Sequence, residues 1–442
     1  MSFRSKLDRL ERGRPAPVNP AVTAEAPAPS AVLDDLRARI RSVLERTAHK
    51  VERPPPPEID TTDLPFISEE TELGPLHVRT LLLGAAHRTG HAPVALARSA
   101  DARLLSLLAL DPTLATLPME RALYLDTETT GLSGGTGTVA FLVGLAWFAP
   151  SGLVVEQMLV RRLGEEAPML ARVRRRLEEC ALVITFNGKS FDLPLLRTRL
   201  VMNRLPAAPD RPHLDLLHVA RRVHKHANRQ CRLTALERDV LGFERENDVP
   251  SGEVSGLYLH FLRTGDGSAL RGVVEHNAWD VVTMASLVGL YGEPLDGSRL
   301  RGDDLAGVAH ALHRAGDDGA LDAASLALDR CGGPASRRVR ASIAKARGER
   351  DLALADYEAL ERDLEERGEG AAVRLELAKL YEHHQKSPHR ALEMLDKGVV
   401  EEEQAQSRRR ARLERKAERA RDRGAQQSLL EQTPPRRARG PG

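Results

Sequence analysis

At 442 residues the chain exceeds what one ordinary hydrophobic core accommodates, so more than one folded region is expected. Hydrophobic residues at 41% and charged residues at 29% exclude a wholly disordered chain. A net charge of +2 excludes a whole-molecule polycation and leaves any attraction for nucleic acid to local patches. Cys180, Cys231 and Cys331 are far apart, with neither a CxxC pair nor a zinc spacing, which fits a reducing, cytoplasmic setting. The opening MSFRSKLDRLERG lacks the apolar core of a secretory signal, and the longest apolar run, 139–148, is half a membrane helix, so no membrane partner is expected.

Residues 1–70 read as a Pro-rich, largely disordered tail with one short helix. Pro15, Pro17, Pro20, Pro27 and Pro29 interrupt small residues, and Pro54, Pro55, Pro56 and Pro57 form a rigid run. Between them Ser30 caps a helix with Leu33, Leu36, Ile40, Val43 and Leu44 on one stripe. Residues 71–118, rich in Leu and Ala, predict a helical lead-in packing on the next domain. His87 and His91 are four apart there, but Gly90 and Pro93 argue against a metal-binding helix.

Residues 119–292 carry an α/β pattern. Apolar runs predict strands at 121–127, 139–148, 153–161 and 181–186, the second and third joined by the short turn Pro150-Ser151-Gly152 and therefore antiparallel neighbours. A helix is expected over 165–180, and helices again at 190–204, 213–225, 232–241, 253–263 and 269–290. Three consecutive strands, a helix, a strand and then helices suit a mixed sheet with helices on its faces, not a dinucleotide fold. Residues 302–400 read as helical hairpins with turns at Ala315-Gly316-Asp317, Ala346-Arg347-Gly348 and near Pro388, the spacing of tetratricopeptide-like repeats and a surface for a protein partner. Residues 401–442 form a charged tail, disordered or a solvated helix, with an electrostatic arm for phosphates as the alternative.

The chemistry concentrates in acidic residues. Asp126 and Glu128 end an apolar strand two apart, so both leave the same face, with Thr127 on the other. Neighbouring carboxylates repel strongly in a low dielectric, and a hard divalent cation, Mg²⁺ or Mn²⁺, relieves that. Asn187-Gly188-Lys189-Ser190-Phe191-Asp192 follows a predicted strand and opens a helix, placing Asp192 in its first turn. His276 and Asp280 are four apart on one helical face. The Gly-rich loop 131–138 joins two strands and lacks a phosphate-binding lysine, so it reads as a rim and not a nucleotide cradle. Asp215 opens a helix, either as a fifth acidic residue or as a helix-terminal acid. Lys189, Arg229 and Arg232 are candidate phosphate contacts, and Trp279 reads as core.

Together these motifs resemble the four-carboxylate (DEDD) exonucleases of the ribonuclease H-like superfamily. The wording LDTETTGLSGGTGTVAFLVGL, FNGKSFDLPLL, CRLTALERDVLGFERENDVP and EHNAWDVVTMASL is similar to that of YprB-type members, several of which carry a C-terminal tetratricopeptide-like region. The resemblance implies a two-metal phosphodiester hydrolase, a 3′–5′ exonuclease on single-stranded DNA or RNA. Asp126 would bridge both ions, Glu128 and Asp280 would serve the nucleophile side, Asp192 the leaving-group side, and His276 would be general base. The family branch with His spaces it five before the last Asp and the branch with Tyr four before; this chain has His at four. A non-catalytic nucleic-acid-binding scaffold is the alternative.

Overall fold

The computed structural model describes residues 64–131, 137–227, 229–330, 332–365 and 369–431, the last eight of them by backbone alone. The Pro-rich tail with its expected helix, most of the Gly-rich loop and Cys331 lie outside the described residues. Nine strands occur in the described chain. Seven, β1 (Ile67–Thr71), β2 (Gly74–Leu83), β5 (Ala122–Thr129), β6 (Ala140–Ala149), β7 (Gly152–Leu159), β8 (Leu182–Thr185) and β9 (His213–Asp215), form one mixed sheet in the order β1-β2-β7-β6-β5-β8-β9. The two-residue β3 (Arg88–Thr89) and β4 (Ala92–Pro93) pair with each other.

The β6–β7 hairpin is antiparallel, as its short turn requires, and β5 pairs antiparallel with β6 but parallel with β8. This makes β5 the seam between the antiparallel and parallel halves. Its side chains alternate into two cores: Ala122 and Tyr124 into one, Leu123 and Leu125 into the other. The expected helical lead-in is corrected at its start, because residues 67–83 are a hairpin that adds two strands. β2 pairs along β7 from His77 opposite Leu159 to Leu83 opposite Leu153, a partnership over a sequence distance no local pattern reveals. The Leu81-Leu82-Leu83 run, which favours a helix locally, leaves Leu82 57% exposed at the strand's outer end. In this lead-in an α-helix forms only at α1 (Ala102–Ala109), capped by Asp101.

Helices α2 (Ala167–Glu179), α3 (Asp192–Met202) and α4 (Leu216–Val223) succeed β7, β8 and β9 in turn. Next come a short α5 (Leu233–Leu236), continued as a π-helical turn over Glu237–Leu241, then α6 (Val254–Thr264) and α7 (Arg271–Tyr291). The expected helix from 213 begins with β9 instead, and Asp215 caps α4 by accepting from the Leu217 amide. α7 is apolar around most of its circumference, which fits its burial against β5, β6 and the segment Val94–Ser99.

Six helices continue the chain: α8 (Gly302–Ala315), α9 (Ala320–Asp329), α10 (Pro334–Arg347), α11 (Arg350–Glu365), α12 (Ala371–His383) and α13 (Pro388–Asp396), packed as sequential pairs. Gly316 and Gly348 end α8 and α10 at φ of 76° and 86°, a conformation that favours glycine. The first pair, with Val339 and Ile343 of α10, joins the sheet-side core, which runs from Tyr124 through Val288 to Leu305 and Ala324. Buried His224 fastens this joint: Nδ1 lies 2.8 Å from Asp304 and Nε2 2.8 Å from the Tyr291 hydroxyl. The charged tail also differs from expectation. α14 (Glu403–Glu431) buries Leu413 and Ala417, four apart, so it is docked and not fully solvated. No described helix is long and apolar enough to cross a membrane.

Candidate metal and catalytic site

The site lies where β5 ends. Asp126 stands opposite Gly144 of β6, and the register slips immediately after Glu128, a bulge that re-aims the strand end. α7 crosses this face and delivers three side chains. Asn277 donates from Nδ2 to Asp126 Oδ2 at 2.9 Å. His276 Nε2 lies 3.9 Å from Glu128 Oε1 and 3.6 Å from Asp280 Oδ2. One ligand atom from each of Glu128, His276 and Asp280 falls within 4.8 Å of the others.

Asp192 arrives from the other side of the sheet. Thr127, which faces away from Asp126 and Glu128, donates its hydroxyl to Asp192 Oδ1 at 2.5 Å. The loop before α3 is itself held by Asp215, whose carboxylate accepts from the backbone amides of Asn187 at 2.9 Å and Lys189 at 3.1 Å. Asp215 is therefore a scaffold for the Asp192 loop as well as a helix cap.

The carboxylates feel one another. Burial raises Asp126 well above the ordinary Asp range, and Asp280, Glu128 and Asp192 push it further; the Asn277 bond opposes this. Burial and then Asp280 raise Glu128 to about 7, with the His276 charge opposing. Burial raises Asp192 to about 6 against the Thr127 bond. Burial lowers His276, but Asp280, Glu128 and Asp248 more than offset it, and the ring is held above its usual value. The hard carboxylate oxygens, under mutual repulsion, fit a divalent cation, and the His276 imidazole stands beside them as a proton acceptor.

Several functional neighbours carry no recognisable signal in the sequence. Asp248 Oδ1 lies 2.6 Å from His276 Nδ1, well inside the 3.2 Å to Arg245 Nη1; a carboxylate only accepts, so Nδ1–H donates to Asp248 and Nε2 is left facing Glu128 and Asp280. Arg245, its side chain 2% exposed, pairs with Glu237 through two bonds of 2.7 Å and also donates to Asp280. Glu237 begins the π-helical turn and accepts from Thr283. Gln157 of β7 donates to Asn277 Oδ1 at 2.9 Å and accepts from Arg79 at 3.1 Å, so a polar chain runs from β2 to Asp126. Arg245 and Asp248 sit in the segment GFERENDVP, where nothing local distinguishes them from surface charge. Of the candidate phosphate contacts, Arg229 is committed to Asp304 and the Asp239 carbonyl, whereas Lys189 and Arg232 are exposed. Trp279 is half-buried against Phe243 and Arg245.

Residues 123–291 match the model of the RNase_H superfamily. An uncharacterized protein of Bacillus subtilis (strain 168), YprB, is 32% identical over 284 residues, covering 62% of this chain and 68% of that protein. The chain belongs to the YprB family. The YprB-type sheet and its flanking helices are thus a ribonuclease H-like domain, followed here by a helical C-terminal region. A family B DNA polymerase from Pyrobaculum calidifontis matches at 13% identity and a TM-score of 0.31, over 44% of this chain and 29% of the polymerase, too distant to bear on this chain's fold or chemistry.

Proposed function

We propose that the chain is a metal-dependent nuclease, a 3′–5′ exonuclease acting on single-stranded DNA or RNA. The observation that carries this reading is the grouping of Glu128 and Asp280 with His276 at the end of β5, with Asp126 two residues away on the same strand and Asp192 near enough for its charge to raise both Asp126 and Glu128. Asp126 would hold both of two Mg²⁺ or Mn²⁺ ions, with Glu128 and Asp280 on one and Asp192 on the other. Bound there, the ions would supply charge neutralisation for the attacking and leaving oxygens of an in-line displacement.

The chain's own residues do the rest. His276 Nε2 takes a proton from the attacking water, while Asp248 fixes the tautomer that leaves Nε2 free. The carboxylates that raise the ring's pKa lose that pull once neutralised, leaving Nε2 able to accept a proton. Arg245 fixes the Asp280 rotamer and Asn277 that of Asp126. Lys189, exposed on the loop before α3, offers an ammonium for a substrate phosphate. We read α8 to α13 as tetratricopeptide-like repeats appended to this domain.

The test is end-labelled DNA and RNA oligonucleotides with Mn²⁺ or Mg²⁺. Release of single nucleotides by the unmodified chain, lost in Asp126→Asn, is expected; equal inertness of both proteins on every substrate would end the proposal. One observation favours a second reading. Arg245 already places a positive charge against Asp280, as a non-catalytic nucleic-acid scaffold without metal would need. Calorimetric titration with Mn²⁺ separates the two, since the scaffold predicts no heat of binding at millimolar metal.

A further inference from the structure

The helical region contains a groove of about 860 Å³ lined by Lys345, Arg350, Lys379, Lys386, Arg412 and Lys416, drawn from α10, α11, α12, the loop after α12, and α14. Arg409 completes the cationic lining, and His383 and His384 border it. We propose that this groove binds the phosphate backbone of single-stranded nucleic acid, a second contact for the substrate that the nuclease reading implies, and the choice of occupant rests on that reading.

Three features carry the inference. The first is charge surplus. The seven cations meet Glu376, Glu382 and Glu401, and among the described residues Arg350 and Lys386 have no carboxylate partner. On a chain whose net charge is only +2, this is a local accumulation.

The second is preorganisation. Glu382, 3% exposed, accepts from Arg412 at 2.7 and 2.8 Å and from Lys416 at 2.8 Å, with Arg409 at 3.6 Å. One buried carboxylate thus holds three cations in place without neutralising them. It also ties α14 to α12, so the basic helix becomes a wall of the groove.

The third is composition. Leu380 is the one apolar side chain among the described lining residues. The centre of a protein–protein interface is enriched in apolar and aromatic groups and depleted in lysine, whereas nucleic-acid interfaces are polar and strongly positive. A groove with four lysines and one leucine matches the second class.

The test uses the full chain carrying Asp126→Asn, in EDTA, with fluorescence anisotropy of labelled single-stranded DNA and RNA over a range of salt. Arg350→Gln/Lys386→Gln removes two exposed, unpaired cations without touching the Glu382 lattice. It is expected to weaken binding roughly tenfold and to reduce the slope of log affinity against log salt by about 1.4, two phosphate contacts at the single-strand value. Arg98→Gln/Arg263→Gln, the same charge change at exposed positions elsewhere, should move the slope far less. A slope change equal to that control overturns the groove. So does a groove variant that loses affinity for a polyglutamate peptide while keeping it for the oligonucleotide, which would assign the groove to an acidic protein. An inert unmodified chain that still binds through the groove would sink the nuclease reading alone.

Discussion

A methyl group on Gly144 would sit 2.3 Å from Asn277 Oδ1, so the residue opposite Asp126 must be glycine for Asn277 to reach that carboxylate. Gly144→Ala is therefore expected to displace Asn277 and destabilise the fold by about 1–3 kcal/mol, the usual range for overpacking a tight core. Thermal denaturation reads this directly, and a parallel loss of Mn²⁺ affinity would follow from the released Asp126. Glu128 gives a pH signature. Its folded pKa is raised to about 7 from an ordinary 4.5, so in metal-free protein the stability it contributes is complete below about pH 4.5 and is lost as pH rises through about 7. Glu128→Gln should match the unmodified chain near pH 4.5 and be the more stable of the two near pH 8 in EDTA. Denaturant melts at the two pH values decide it, and equal midpoints at the higher pH would contradict the repulsion.

Among the elements, α14 depends on a very narrow apolar stripe. Leu413 is fully buried in the core of α10 to α13, while its neighbours are charged and several pair with Glu382 and Glu401. Leu413→Ala should cost about 2–4 kcal/mol and loosen the helix, seen as early hydrogen exchange across 403–417 ahead of the rest of the chain. Elements differ in how far their sequence announces them. β5, β6 and β7 are long apolar runs bounded by glycine and proline turns, and α2 has a clean apolar face at Met169, Leu170, Val173 and Leu177, so local pattern and final fold agree. β2 contradicts its own Leu-rich propensity, because the unpaired edge of β7 supplies a ladder worth more than an isolated helix. The apolar pair of α14 is too short to stand out against surrounding charge.

For the whole molecule, the core that joins the sheet to α8 and α9 makes the ribonuclease H-like domain dependent on those two helices. A chain ending near residue 301 would uncover the faces of α1 and α4 on which α8 packs and strip His224 of Asp304, leaving a buried imidazole unpaired at Nδ1. Such a truncation is expected to be insoluble or molten, which a collapsed near-ultraviolet spectrum would register; a cooperative melt comparable to the full chain would count against it. A cation that binds the folded site and not the unfolded chain raises stability by about 2.7 kcal/mol at a hundredfold excess over its Kd. Mn²⁺ should accordingly raise the melting temperature of the unmodified chain and not that of Asp126→Asn.

The sequence by itself determined that carboxylates two apart would share a face, that His276 and Asp280 would share another, and that β5, β6, β7, α2 and β8 would follow in that order, because periodicity acts within one turn or one pleat. It also carried the family likeness in contiguous wording. Only the tertiary structure decided which side of the sheet delivers Asp192, and that Thr127 receives it. The partners Arg245, Asp248, Asn277 and Gln157, and the basic groove walled by α14, emerged there too. Those relations join residues tens to hundreds of positions apart, and charge or hydrogen bonding across such distances leaves no periodic trace in a chain until folding brings the groups together.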